Sequence, residues 1–204
     1  MEKTLVFLDE GFLDKLTKFF GDGNRLKFDK FEFAKLISKE QGLICKHLFY
    51  YTAPPFQGTP PTKKERKMKE GYDRFITSLS KDKNLTIREG RCQKVIDKDG
   101  KEKYTQKGVD TLLTIDLSHI KEDYPNIKRI ILVSSDTDFC PAIRDIKERN
   151  NIEVILYTYF DRKRGSKFSL SNELITCCSK YAKLTKQHFD KSKKKQKRGK
   201  NAKN

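Results

Sequence analysis

Two acidic clusters stand where apolar runs end. Leu5-Val6-Phe7-Leu8 runs into Asp9-Glu10-Gly11, and Ile130-Ile131-Leu132-Val133 runs into Ser134-Ser135-Asp136-Thr137-Asp138. Runs of this type read as strands buried on both faces of a parallel sheet. A further acid, Asp110, falls in the first turn of a segment whose Val109, Leu112 and Leu113 have helical spacing. In open α/β sheets ligands bind beyond the carboxyl ends of the strands. A crossover helix starts at the edge where its strand ended, so Asp110 belongs to that same edge. With the first and fourth strands adjacent, in spatial order 3-2-1-4-5, Asp9, Asp110, Asp136 and Asp138 converge. Clustered carboxylates repel and are costly to bury unpaired, so a cation is expected among them. Oxygen donors without histidine or cysteine suit Mg2+ or Mn2+. Such an ion clamps a phosphate and activates water, which is the chemistry of phosphodiester hydrolysis. Each acid also has a plainer role as a turn former or helix cap, Asp138 most clearly.

The elements that must position these acids alternate along the chain. A strand is expected over Thr4–Leu8 and a helix over Phe12–Phe20. Asp29 caps a second helix that Gly42 stops. Leu43–Thr52 reads as a strand, and the proline-rich Ala53–Pro61 as a loop at its end. A helix over Lys63–Ser80 precedes a third strand over Leu85–Lys94. Asp97-Lys98-Asp99-Gly100 then makes a hairpin turn. A helix is expected over Lys107–Ile120, with Asp116 on its apolar face, either paired there or supporting the acidic cluster. After the central strand and its helix come a last strand over Glu153–Tyr159, a basic loop over Arg162–Lys167 and a final helix over Leu170–Tyr181. The expected fold is therefore α/β, three-layered, with a mostly parallel sheet. The domain spans residues 1–185. A basic tail over 186–204 is expected to be disordered, since from about Lys191 it has no apolar residue but Ala202 and cannot bury anything.

Composition narrows the partners. The 204 residues carry a formal charge of +17, with 36% charged side chains. An excess this large favours a polyanion, nucleic acid before membrane. No apolar stretch has membrane-spanning length. The five cysteines form no C-x-x-C pair and no zinc-ligand spacing. They read as reduced thiols of a soluble, cytoplasmic protein, and a homo-oligomer is compatible with all of this.

The motifs resemble the NYN domain family, a branch of the PIN-like nucleases. The resemblance is carried by Leu5-Val6-Phe7-Leu8-Asp9, Tyr50-Tyr51-Thr52-Ala53-Pro54-Pro55, Gln106-Lys107-Gly108-Val109-Asp110 and Ser134-Ser135-Asp136-Thr137-Asp138-Phe139. It implies a PIN-like Rossmannoid fold and a Mg2+- or Mn2+-dependent ribonuclease. It also implies carboxylate ligands at Asp9, Asp110, Asp136 and Asp138. Two positions depart from the family pattern. Phe12 stands where the family has an asparagine, with Glu10 the nearest polar substitute, and Cys177-Cys178-Ser179 stands where the final helix often has an aspartate.

The expected function is thus an endoribonuclease. Asp9, Asp110 and Asp136 would hold the metal, with Asp138 catalytic and Glu10, Lys107, Asp116 and Ser134 in support. RNA would be held by Arg162, Lys163, Arg164 and Lys167. Tyr51 and Phe56 would stack on unpaired bases or, equally well, pack their loop. The alternative is a PIN-like module that binds RNA without cutting it. A haloacid dehalogenase-type phosphatase ranks last, because it needs an acid two positions after Asp9, where Gly11 stands.

Overall fold

The computed structural model describes residues 1–161, 166, 168–169 and 171–193. In chain order the elements are β1 (Glu2–Asp9), α1 (Glu10–Phe20), α2 (Lys30–Glu40), β2 (Leu43–Thr52), α3 (Lys63–Leu79), β3 (Leu85–Glu89), β4 (Arg91–Ile96), β5 (Glu102–Lys107), α4 (Val109–Ser118), α5 (Ile120–Asp123), β6 (Arg129–Val133), α6 (Cys140–Asn150), β7 (Glu153–Thr158), α7 (Asn172–Cys177), β8 (Lys180–Lys183) and α8 (Lys186–Lys191). One six-stranded sheet has the order β3-β2-β1-β6-β7-β8. All five of its pairings are parallel. The adjacency of β1 and β6 brings the two acidic strand ends to one edge.

Alternation along the strands makes two cores, one on each face of the sheet. Leu5 and Phe7 pack with Leu113, Ile130 and Ile143 on the α4/α6 side, while Val6 and Leu8 pack with Leu13, Phe33 and Ile37 on the α1/α2 side. Leu5 to Leu8 and Ile130 to Val133 are wholly buried. Continuous apolar runs therefore mark these central strands, as both faces are covered.

Four sequence expectations are corrected. The third strand does not run to Lys94. It stops at Glu89, and β4 leaves the main sheet to pair only with β5. Gly90 sits at the break, where a Cβ would come within 2.5 Å of the Lys107 carbonyl oxygen and 2.7 Å of a Val109 methyl. Only glycine lets the hairpin root pass that close. Second, Lys107 is the last residue of β5 and does not start the helix. Gly108, at φ 79°, turns the chain into α4.

Third, the segment expected as one helix over Leu170–Tyr181 stops at Cys177, whose successor Cys178 is extended. The Ser179 amide bonds to the Val154 carbonyl at 2.9 Å, and Lys180–Lys183 pairs along β7. The open edge of β7 offers unpaired backbone groups, and satisfying them outweighs the helical pattern. The order expected for five strands survives, with β8 added at one edge. Fourth, the folded chain does not stop at residue 185. Phe189 and Ser192 are buried. The Phe189 ring lies 5.3 Å from Phe33 and 5.0 Å from Phe28, and the Ser192 carbonyl accepts from the Asp29 amide at 2.7 Å. One aromatic in a lysine-rich stretch suffices to anchor a turn of helix.

Candidate active site

Asp9 ends β1, and its side chain caps α1 by accepting from the Phe12 amide at 3.2 Å. Its other oxygen accepts from the Ser134 hydroxyl at 2.8 Å. Ser134 is fully buried just past β6 and in turn accepts from the Asp136 amide at 3.2 Å. The half-buried Asp136 caps a single 3-10 turn, Thr137–Phe139, accepting from the Asp138 amide at 3.0 Å. Asp138 itself makes no cap, because α6 begins at Cys140 without a side-chain cap bond. Asp110 enters from the first turn of α4. Two strand ends, a 3-10 turn and a helix N-terminus thus supply the four acids.

Burial and the charges of neighbouring acids act on Asp9 and Asp110. Burial pushes the Asp9 carboxyl up to about 6, against the pull of Ser134 and the Phe12 amide, with Asp110 and Asp136 adding to the rise. The Asp110 carboxyl is also raised, first by partial burial and then by Asp136 and Asp138, while Lys15 works against it. Gly11 keeps the space beside Asp9 open. A Cβ there would lie 3.1 Å from Asp9 Oδ1 and 3.4 Å from Oε1 of Gln106, which reaches over from β5.

A divalent ion fits this donor set in charge and chemistry. The donors are carboxylate oxygens, they repel one another, and each Asp9 oxygen keeps a lone pair beyond its single hydrogen bond. Among the described residues no three acids, histidines or cysteines are yet close enough together to cage an ion.

Other expected site residues go elsewhere. Glu10 forms an ion pair with Lys30 at 2.9 Å. Lys30 is itself buried, with its ammonium 4.0 Å from the Phe28 ring centre. The Phe12 side chain is buried in the α1/α2 core, so only its backbone serves Asp9. Asp116 lies away from the cluster, holding Arg88 through two hydrogen bonds of 2.9 and 2.7 Å and accepting from the Tyr51 hydroxyl at 2.8 Å. Tyr51 is corrected from a base-stacking surface residue to a core residue. It is wholly buried and stacks on Phe7 at 6.2 Å. Phe56 is half-buried against Tyr104 of the hairpin, 5.8 Å between centroids. Arg162, Lys163, Arg164 and Lys167 lie outside the described residues.

Sequence reasoning missed Lys15, Gln106 and Lys30. Lys15 was legible, because it follows Gly11 by four residues on one helix face. Gln106 and Lys30 reach their places only through tertiary folding.

The NYN domain family matches residues 18–185, and the chain belongs to that family of nuclease-related domains. The match contains Asp110, Asp136 and Asp138 and starts after Asp9. No curated protein matches. Among solved structures, a protein of unknown function from Vibrio parahaemolyticus is similar, at 20% identity and a TM-score of 0.54, over 92% of this chain and 95% of that one. That likeness is one of fold. No helix among the described residues is long and apolar enough to cross a membrane.

Proposed function

We propose that the chain is a metal-dependent ribonuclease acting at the carboxyl edge of the sheet. One observation carries this reading. Asp9, Asp110, Asp136 and Asp138 come from separate elements to a single edge, where burial first, and then their repulsion of one another, raises the carboxyls of Asp9 and Asp110. A structure-holding cluster of acids would be threaded with cations; here, among the described residues, Lys15 is the one basic group acting on Asp110.

Asp9, Asp110 and Asp136 would hold Mg2+ or Mn2+, with Asp138 at the exposed rim. The bound ion would supply a lowered water pKa and charge neutralisation at the scissile phosphate. The protein's part is positional. The Ser134 hydroxyl and the Phe12 amide fix the two oxygens of Asp9. The Asp138 amide orients Asp136. Lys15 and Gln106 sit where the backbone of a bound strand would pass. The net charge of +17 favours RNA as the polyanion, with the family membership in support.

The second reading, an RNA-binding domain without turnover, has a specific observation in its favour. Phe12 and the Lys30-bound Glu10 leave the position after β1 without a free polar side chain. The two readings separate in one assay. Labelled single-stranded and hairpin RNAs are incubated with Mn2+, Mg2+ or chelator, beside Asp136→Asn. The expected result is cutting that needs the metal and is lost in the variant. Salt-sensitive binding without cutting under any metal would sink the nuclease reading and leave the second.

A further inference from the structure

The β4–β5 hairpin stands off the main sheet beside the site, and its two faces have opposite characters. Residues directly opposite in an antiparallel pair share a face. One face therefore carries Cys92 with Gln106, Lys94 with Tyr104 and Ile96 with Glu102. This face meets the body of the domain at Phe56, and its charges are matched. Lys94 pairs with Glu102, the Tyr104 hydroxyl donates to Glu102 at 2.9 Å, and the Tyr104 ring meets Phe56.

The other face carries Arg91 with Lys107, Gln93 with Thr105 and Val95 with Lys103. It has three cations and no acid. Arg91, Lys103 and Lys107 are exposed, and none has an ion-pair partner among the described residues. Arg91 and Lys107 stand directly opposite each other, an arrangement that destabilises a hairpin by as much as ~1 kcal/mol. A polyanion laid on this face would relieve that repulsion. Lys103 lies four residues from Lys107, roughly 13 Å at strand rise. Lys107 is three residues from Asp110, and Gly108 makes the turn between them.

We propose that this open face is a docking track for the phosphodiester backbone of RNA. The proposal rests on the nucleic-acid reading above and adds the surface that holds the substrate. Backbone contacts carry no sequence information, so the track contributes affinity uniformly across sequences. Charge complementarity selects the occupant.

The test uses the full chain with Asp136→Asn, so that RNA stays intact. Binding of two fluorescent single-stranded RNAs of unrelated sequence is followed by anisotropy at several salt concentrations. Adding Arg91→Ala, Lys103→Ala and Lys107→Ala should lower the slope of log K against log salt by about 2, at ~0.7 per lost contact. Affinity for both RNAs should fall at least about tenfold. Lys94→Ala with Glu102→Ala, on the face that meets Phe56, should change neither quantity. Should the triple variant lose its fold by circular dichroism, Arg91→Gln alone should lower the slope by about 0.7. Unchanged slope and affinity, loss with only one of the RNAs, or no RNA binding by the parent overturns the proposal. So does binding to phosphatidylserine vesicles that the triple variant loses while keeping RNA. A chain with Asp136 restored that binds on this track yet never cuts under any metal removes the nuclease reading and leaves the track in place.

Discussion

Asp110 and Asp116 sit on the same helix, less than two turns apart, and live in opposite electrostatic worlds. Asp116 has a guanidinium gripping both its oxygens and a buried tyrosine hydroxyl besides. The Asp110 carboxyl is raised first by partial burial and then by Asp136 and Asp138. The contrast separates a carboxylate that holds the fold from one whose nearest charged neighbours include two more acids. Asp116 ties β3, through Arg88, and β2, through Tyr51, to the back of α4. Glu10 belongs with Asp116 in this respect. It follows Asp9 directly but is neutralised by the buried Lys30.

The comparison can be broken most decisively by activity. Asp110→Asn is expected to reduce metal-dependent RNA cleavage on the order of 10³-fold, while Asp116→Asn leaves it within about threefold; initial-rate assays on one labelled RNA check both. Comparable losses in the two variants would erase the distinction.

Stability sharpens it in the opposite direction. The carboxyl of Asp9 moves from its ordinary 3.8 to about 6 in the fold. Between those values the folded state binds more protons than the unfolded, so stability falls as pH rises through that window. At neutral pH the ionised Asp9 then costs about 3 kcal/mol. Asp9→Asn should raise the melting temperature at pH 7 and flatten its dependence between pH 4 and 6, read by calorimetry. A lower melting temperature in that variant would mean that the fold, not a ligand, needs the charge.

The smallest effect is expected at the other kind of acid. Asp116→Asn keeps a partner for Tyr51 but weakens the grip on Arg88. With the arginine side chain 44% exposed, solvent compensates for much of the loss. A destabilisation of about 1 kcal/mol is expected by urea denaturation, opposite in sign to Asp9→Asn.

Much of the site's outline was legible because strand ends and helix starts are local events. Apolar runs ending in Asp9 and Asp136, and Asp110 at a helix start, lie within a few residues of the pattern that marks them. Their convergence also followed, given the parallel order with β1 beside β6. Periodicity overreached where an edge decided the outcome. Lys180–Lys183 is a strand because β7 had a free side, and Arg91–Ile96 leaves the sheet because Gly90 lets it cross Lys107.

The sequence by itself determined the alternation of elements, the chemistry of the acidic donors and the basic excess that favours a polyanion. Each is set by residue type and by spacing of a few positions. The tertiary structure alone decided which acids are free. Arg88 reaches Asp116 across 28 residues of chain, Tyr51 reaches it across 65, and Lys30 reaches Glu10 across 20. Such pairings depend on how helices settle on the sheet, and neither composition nor periodicity contains that information. The same is true of Tyr51, whose aromatic ring suits a base or a core equally well until β1 and α4 close over it.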